Sequence, residues 1–543
     1  MRFTKNFGGN MKKLFLAAML LVTSIACAAP EPQYGGVLVF GRSGDSTTMD
    51  PSHATDGESF YAASAIYDNL VQFKYGTTEI EPALAESWSV SEDGLEYTFK
   101  LRKGVKFSKT KYFKKDSEFT SKDVVFSFKR QFDKNHPYNK VGGAFKYWSA
   151  MNMSNIVKDV IAVDKYTVKF ILKKPEAPFI ANLAMEFAMI LSADYAEELA
   201  KKGRQEDIGR KPVGTGPFVF QKWIKDDKII FEANKNYWNG RPYVDKLIFK
   251  VITNNSVRAA ELKSGSIHIM DFPNPAEVAD LEKNPNIKLV KQEGLNVGWL
   301  AFNNEKKPFD NVLVRRAIRH AINTEGIVKS VYEGLGKVAV NPIPPTMWSY
   351  NDALKGYEYN PEKAKALLKE AGYENGFETN IWAMPVARPY IPNGRKVAEA
   401  IQADLAKVGI KAKIVSYDWG TYLKRSSMGE HDMVLIGWTG DNGDPDNFLN
   451  VLLSAHAAEE KPAQNRSFWR NAEFTKLVDE AKVITDVAKR TELYKKAQLI
   501  FEEDAPVHPI AHSIVVEPML KKVHGFKLDP VGKRRFKEVW IEK

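Results

Sequence analysis

The run Gly437-Trp-Thr-Gly-Asp441-Asn-Gly-Asp-Pro-Asp-Asn447 concentrates the side chains of this chain best suited to chemistry. Apolar segments flank it, Met433–Ile436 before and Phe448–Leu453 after. Its glycines and proline predict an irregular loop rather than a helix or strand. Such a loop presents an exposed Trp438 beside an acid, a binding surface before anything else. Asp441, Asp444 and Asp446 invite a calcium reading, but the spacing does not fit an EF-hand and Leu452 stands where the last glutamate is needed. His508 and His512 are four apart, yet Pro506 and Pro509 oppose the helix that would aim both at a zinc ion. They read as strand or loop histidines. No Gly-x-Ser-x-Gly elbow, phosphate loop or dinucleotide glycine fingerprint is present, and paired carboxylates alone do not specify a glycosidase. No catalytic residue, metal site or cofactor is therefore expected.

The elements that must position this loop alternate between strand and helix. Gly36–Phe40, Tyr97–Leu101 and Ile410–Val415 read as strands, the second entered through the turn Glu92-Asp-Gly94. Ser121–Phe128 reads as a helix with Ser121 as its cap and Asp123 in the first turn. Val314, Ala317, Ile318 and Ala321 give one buried face to Val312–Ile322. Asn360-Pro361 starts another helix, with Ala364, Leu367, Leu368 and Ala371 as its stripe and Gly372 as its stop. Val397–Val408 repeats that pattern. Alternation of this kind, without internal repeats, implies an α/β fold.

Residues 1–29 read as a secretory signal: Arg2, Lys5, Lys12 and Lys13 precede the apolar Leu14–Ile25, and Ala26-Cys27-Ala28 offers a cleavage site. Met11-Lys-Lys-Leu opens a compact leader of its own. No later stretch reaches about 18 consecutive apolar residues, so no transmembrane helix is expected, and the mature chain is expected in the periplasm. Cys27 is the only cysteine of 543 residues, so no internal disulfide can form. It is either a lipid anchor or lost with the leader, and Ser24, where lipoprotein signals carry Leu, favours loss. The remaining roughly 515 residues can bury a large core in two to four lobes. The net charge of +11 falls to about +7 without the leader. Acids interleave with the bases, which argues against a nucleic-acid partner. The densest basic run, Lys521–Lys537, alternates with apolar residues like strand edges.

From about Gly35 to the C-terminus the chain resembles the extracellular solute-binding proteins, family 5, that serve dipeptide and oligopeptide importers. Pro82-Ala-Leu-Ala-Glu-Ser-Trp88, Tyr97–Phe107, Asp123–Phe128 and Pro212-Val-Gly-Thr-Gly-Pro-Phe218 with Tyr237-Trp238 carry the general match. Leu295-Asn-Val-Gly-Trp299, Ile343–Trp348, Trp382–Tyr390, the 437–447 run and Ile510–Ser513 resemble the dipeptide-binding branch. The resemblance implies the class II, two-lobed periplasmic-binding-protein fold with an inserted domain and a ligand between the lobes. By position, lobe I comprises 30–67, 213–295 and 512–543, the insertion 68–212, and lobe II 296–511. Hinge closure would trap the ligand. The partners implied are a dipeptide and the membrane subunits of an ABC permease, with the receptor a monomer.

A dipeptide is a zwitterion with its charges roughly 6–7 Å apart when extended. A closed cleft strips both of water, so each needs a fixed opposite charge. An aspartate suits the ammonium, and the planar fork of an arginine suits the carboxylate. The positions matching the family are Asp441 for the ammonium and Arg388 for the carboxylate. Trp438 and Thr439 would line the pocket beside Asp441, and Tyr390 beside Arg388. Thr55-Asp56-Gly57 matches the segment that meets the peptide backbone from lobe I, where glycine permits close approach. Two fixed anchors would exclude a tripeptide. Gly437 stands where this branch carries a larger residue such as Met, so a roomier pocket is expected there. Relatives of this branch bind glutathione or haem, which is the alternative within the family. An exported peptidase is the alternative outside it.

Overall fold

The computed structural model describes Met1, residues 30–459 and residues 461–543. The expected leader, apart from Met1, lies outside the described residues, as does Cys27. A mixed sheet of twelve strands organises the molecule, and one strand, Val507–Leu520, joins its two halves. Its first half pairs with Asn296–Phe302 and Gly336–Val338; its second half pairs with Ile287–Glu293 and Ile269–Met270. On one side the sheet continues through Met433–Thr439, Glu378–Trp382 and Lys411–Val415. On the other it continues through Val37–Arg42, Lys246–Val251, Lys228–Ala233 and Phe218–Ile224. These halves are the cores of two lobes. A separate antiparallel sheet, in the order Ala85–Val90, Glu96–Leu101, Thr167–Leu172 and Val157–Asp164, packs beneath the helix Ser121–Phe132.

The local readings hold with informative exceptions. Every residue of Asn296–Phe302 is buried, as a strand covered on both faces should be. The helix Val312–Ala321 buries the four residues its spacing singles out. Asn360 caps Pro361–Glu370 by accepting from the Lys363 N–H at 3.0 Å, and Gly372 takes a φ of +85° just beyond it. The cap before Asp123 is Thr120, not Ser121: the Asp123 carboxylate reaches back three residues to the Thr120 N–H at 2.8 Å, while the Ser121 hydroxyl donates to the Asp164 carbonyl. Residues 437–439 are strand rather than loop, because they continue the ladder opposite Asn296–Gly298. The basic run 521–537 forms only the short strand Val523–His524. Two of its charges turn inward instead: Lys533 pairs with Glu186 and Arg534 with Glu517, all four buried. Among the described residues no helix is long and apolar enough to cross a membrane.

Candidate functional site

Between the lobes lies a cavity of about 380 Å³ whose wall includes Thr55, Asp56, Gly57, Arg388, Tyr390, Trp438, Thr439 and Asp441. The fold thus brings all eight residues singled out in the sequence to one chamber, although they span nearly 400 positions of chain.

Asp441 sits two residues beyond the strand Met433–Thr439, after Gly440 has donated its N–H to the Leu295 carbonyl at 2.7 Å. Asn447, fully buried in the first turn of Asp446–Leu453, fixes the local geometry. Its Oδ1 accepts from the Asp441 N–H at 2.9 Å and from the Trp438 indole at 2.8 Å, and its Nδ2 lies 3.4 Å from the Asp441 carboxylate. Among the described residues no lysine or arginine forms an ion pair with Asp441. Burial, reinforced by the charge of Glu186, pushes its carboxyl up to about 7. Asn447, the Tyr147 hydroxyl and the more distant Lys533 pull in the opposite direction.

Arg388 stands at the other end of the chemistry. Its loop closes on itself, with N–H to carbonyl bonds of 3.1 Å in both directions between Arg388 and Ile391. Its guanidinium lies 5.0 Å from the Trp419 ring centre and donates to the Ala387 carbonyl at 3.3 Å. No carboxylate pairs with it among the described residues. Tyr390 is buried, which raises its phenol to about 12. Its carbonyl accepts from the Tyr332 hydroxyl at 2.7 Å.

Gly437 does not enlarge the pocket. It faces Gly298 across the ladder, and the 388–391 loop lies over the flat patch the two glycines leave. A Cβ on Gly437 would come within 2.5 Å of the Tyr390 ring and 2.3 Å of the Val297 carbonyl, and one on Gly298 within 2.4 Å of the Tyr390 carbonyl. The missing side chain is filled by Tyr390, not by open volume.

The third segment divides its labour. The Asp56 carboxylate caps the helix Gly57–Ile66, accepting from the Ser59 N–H and hydroxyl at 2.9 Å and from the Thr47 hydroxyl at 3.0 Å. That carboxylate is occupied, so what the segment offers a ligand is backbone. A Cβ on Gly57 would meet only the Tyr61 side chain, at 3.4 Å. Thr55 is exposed on the same wall.

Sequence reading overlooked Tyr147, Glu186, Trp419 and Lys533, which share the wall. Each comes from a segment remote from the motifs, and nothing in its local pattern separates it from a core or surface residue. Asn447 was visible as the last residue of the 437–447 run.

Residues 79–460 match the family model described as bacterial extracellular solute-binding proteins, family 5 Middle. The chain belongs to that family. It is 48% identical to the dipeptide-binding protein of Escherichia coli over the whole of both chains. A family member from Haemophilus influenzae named heme-binding protein A is 46% identical, over 91% of this chain and 90% of its own. Among solved structures, an ABC transporter-associated periplasmic binding protein from Helicobacter pylori, in complex with the peptide STSA, superposes with a TM-score of 0.87 at 51% identity, covering 94% of this chain and 99% of that one. Family membership accounts for the two-lobed architecture and for the chamber between the lobes.

Proposed function

We propose that this protein is a non-catalytic periplasmic receptor that captures dipeptides by their free termini and delivers them to an ABC-type permease. The observation that carries the reading is that two charges of opposite sign on one chamber wall, Asp441 and Arg388, have no ionic partner among the described residues. A zwitterion supplies both missing partners, and only then is the burial of Asp441 compensated. The Escherichia coli and Helicobacter pylori relatives, named for dipeptide binding and solved with a peptide, support the same reading. In this reading Trp438 and Thr439 flank the ammonium, Tyr390 flanks the carboxylate, and the Thr55–Gly57 backbone meets the peptide chain. Lobe I would comprise 30–67, 213–295 and 512–543, lobe II 296–511, and the inserted domain 68–212. A peptide that binds the closed form better than the open one shifts the equilibrium without any nucleotide at this protein.

Among the described residues the chamber wall carries tyrosines but no His, Cys or Met, which narrows the side chains it offers a haem iron. Calorimetric titration of ligand-stripped mature protein with dialanine, against N-acetyl-dialanine, tests the proposal. One-to-one binding that acetylation abolishes is expected. Absence of heat with dialanine, together with binding of glutathione or haem, would overturn it, and release of free alanine would convert the reading to a peptidase.

A further inference from the structure

Four bases stand on the chamber wall: Arg388, Arg466, Lys533 and Arg534. Lys533 pairs with Glu186 at 3.2 Å, and Arg534 pairs with Glu517. Arg388 is taken by the terminal carboxylate when a dipeptide binds. Arg466 has no such assignment. Its Nε and Nη1 are buried without a hydrogen-bond acceptor, and no carboxylate pairs with it among the described residues. Burial lowers its pKa to about 10. A guanidinium stripped of water costs free energy until an anion meets it.

Arg466 stands deep in the chamber. Trp419, on which the Arg388 guanidinium rests at 5.0 Å, opens the helix Trp419–Ser427. Asn447, which holds the Asp441 N–H, lies in the first turn of Asp446–Leu453. The 463–467 segment is seated on the far ends of both helices. The Ala463 N–H donates to the Ser427 carbonyl at 2.9 Å, and the Asn465 amide donates to the Ser454 carbonyl at 3.3 Å. Helices of nine and eight residues are about 12–14 Å long, so Arg466 is attached about one helix length from either anchor. Leu423, Ile436, Leu452 and Leu453 give this part of the chamber an apolar lining. The backbone at its end is pinned: His431 Nε2 donates to the Arg466 carbonyl at 2.8 Å, and Asn465 Oδ1 accepts from the Ser467 N–H at 3.0 Å. A fixed charge beyond an apolar lining selects a polar tip on an aliphatic stem. The planar fork of an arginine makes that tip a carboxylate.

We propose that Arg466 is a specificity-determining residue, which receives the side-chain carboxylate of a glutamate-containing dipeptide. The proposal rests on the dipeptide reading, because the two termini must occupy Asp441 and Arg388 for a side chain to reach Arg466. The stem of the glutamate packs among the leucines and its carboxylate supplies the missing anion. Glutamine has the same length and leaves the guanidinium uncompensated.

Titrations of dialanine, Glu-Ala, Gln-Ala, Ala-Glu and Ala-Gln into the wild-type protein, Arg466→Met and Arg466→Lys test the assignment, with thermal melts confirming that each variant folds. In the wild-type protein glutamate should bind at least about tenfold tighter than glutamine at one of the two positions. Either position upholds the proposal and says which side chain enters. Arg466→Met should abolish that preference and leave dialanine within about twofold, while Arg466→Lys should keep part of it. Equal affinity for glutamate and glutamine peptides in the wild-type protein would overturn the proposal, and that comparison needs no variant. So would a preference that survives Arg466→Met, or a variant that weakens all five peptides alike, which marks a structural role. Glutamate peptides bound through Arg466 by a protein blind to dialanine would uphold the subsite and sink the reading of the termini as sufficient. No binding of any of the five would sink both.

Discussion

Two contact regions meet at the 441–446 loop, and they treat charge in opposite ways. At the ligand chamber, Asp441 and Arg388 face the cavity with no ionic partner among the described residues. A few residues further along the same loop, buried acids lie against cations. Lys482 lies 3.2 Å from Glu176 and 3.6 Å from Asp446, all three buried, and Asp444 pairs with Arg490 at 2.8 Å. The Ala177 N–H donates to the Lys482 carbonyl at 2.8 Å, and Asn442 donates to Asn182 at 2.7 Å. Glu176, Ala177 and Asn182 follow the four-stranded sheet, so this region ties that part of the chain to the loop carrying Asp441. The acids of one region have cationic partners, and Asp441 in the other has none among the described residues. Residues 441–446 belong to both, so the loop that carries Asp441 also carries the acids of the second region.

The sharpest way to break this contrast is to move the deficit from one region to the other. Lys482→Met leaves Glu176 and Asp446 buried without a cation and should cost about 3–5 kcal/mol of stability, read by denaturant unfolding. Asp441→Ala should do the reverse. Affinity for dialanine should fall by about 2–5 kcal/mol, because the buried ammonium loses its partner. Unfolding stability should hold or rise, because an unpaired buried carboxylate has been removed. Equal losses of stability in both variants would erase the distinction between the regions.

pH sharpens the same contrast. In the ligand-free chamber Asp441 holds its proton up to about 7, through burial and the neighbouring Glu186. A peptide ammonium needs the ionised form, so binding below that pH must expel a proton. Affinity is therefore fully present above about 7 and lost as pH falls through it, until the ammonium itself deprotonates near about 8. Between pH 7.5 and 5.5 the loss should be roughly 20-fold, with proton release visible as a buffer-dependent heat. Asp441→Asn should flatten this limb of the profile. A flat profile in the wild-type protein would show that the ammonium does not meet Asp441.

The site was more legible in the sequence than the second contact region. Helix starts such as Asn360-Pro361 and alternating strands such as 410–415 declare themselves because their signals are local. The 437–447 run and Arg388 were visible through family likeness, which pointed to positions without explaining them. Gly437 was misread because its meaning depends on Gly298, some 140 positions earlier, and on a loop that crosses both. Lys533 and Arg534 read as part of a strand-edge basic run because their partners, Glu186 and Glu517, lie outside that run. Such pairings leave no periodic trace in either segment.

That glycine pair gives the smallest predicted effect and the most specific one. Gly437→Ala sets a methyl against the Val297 carbonyl and the Tyr390 ring. The carbonyl belongs to the paired strand and cannot swing aside, so the strain should pass to the 388–391 loop and cost about 1–3 kcal/mol of stability. Arg388 rides on that loop. Its guanidinium should leave its seat on Trp419, and dialanine affinity should fall by about tenfold, as expected for a carboxylate whose bidentate partner has been displaced. The deficit should shrink for the monocharged analogue dialanine amide, which has no carboxylate for Arg388 to lose. An equal deficit for dialanine and its amide would mean that the glycines shape the chamber as a whole rather than seating the carboxylate anchor.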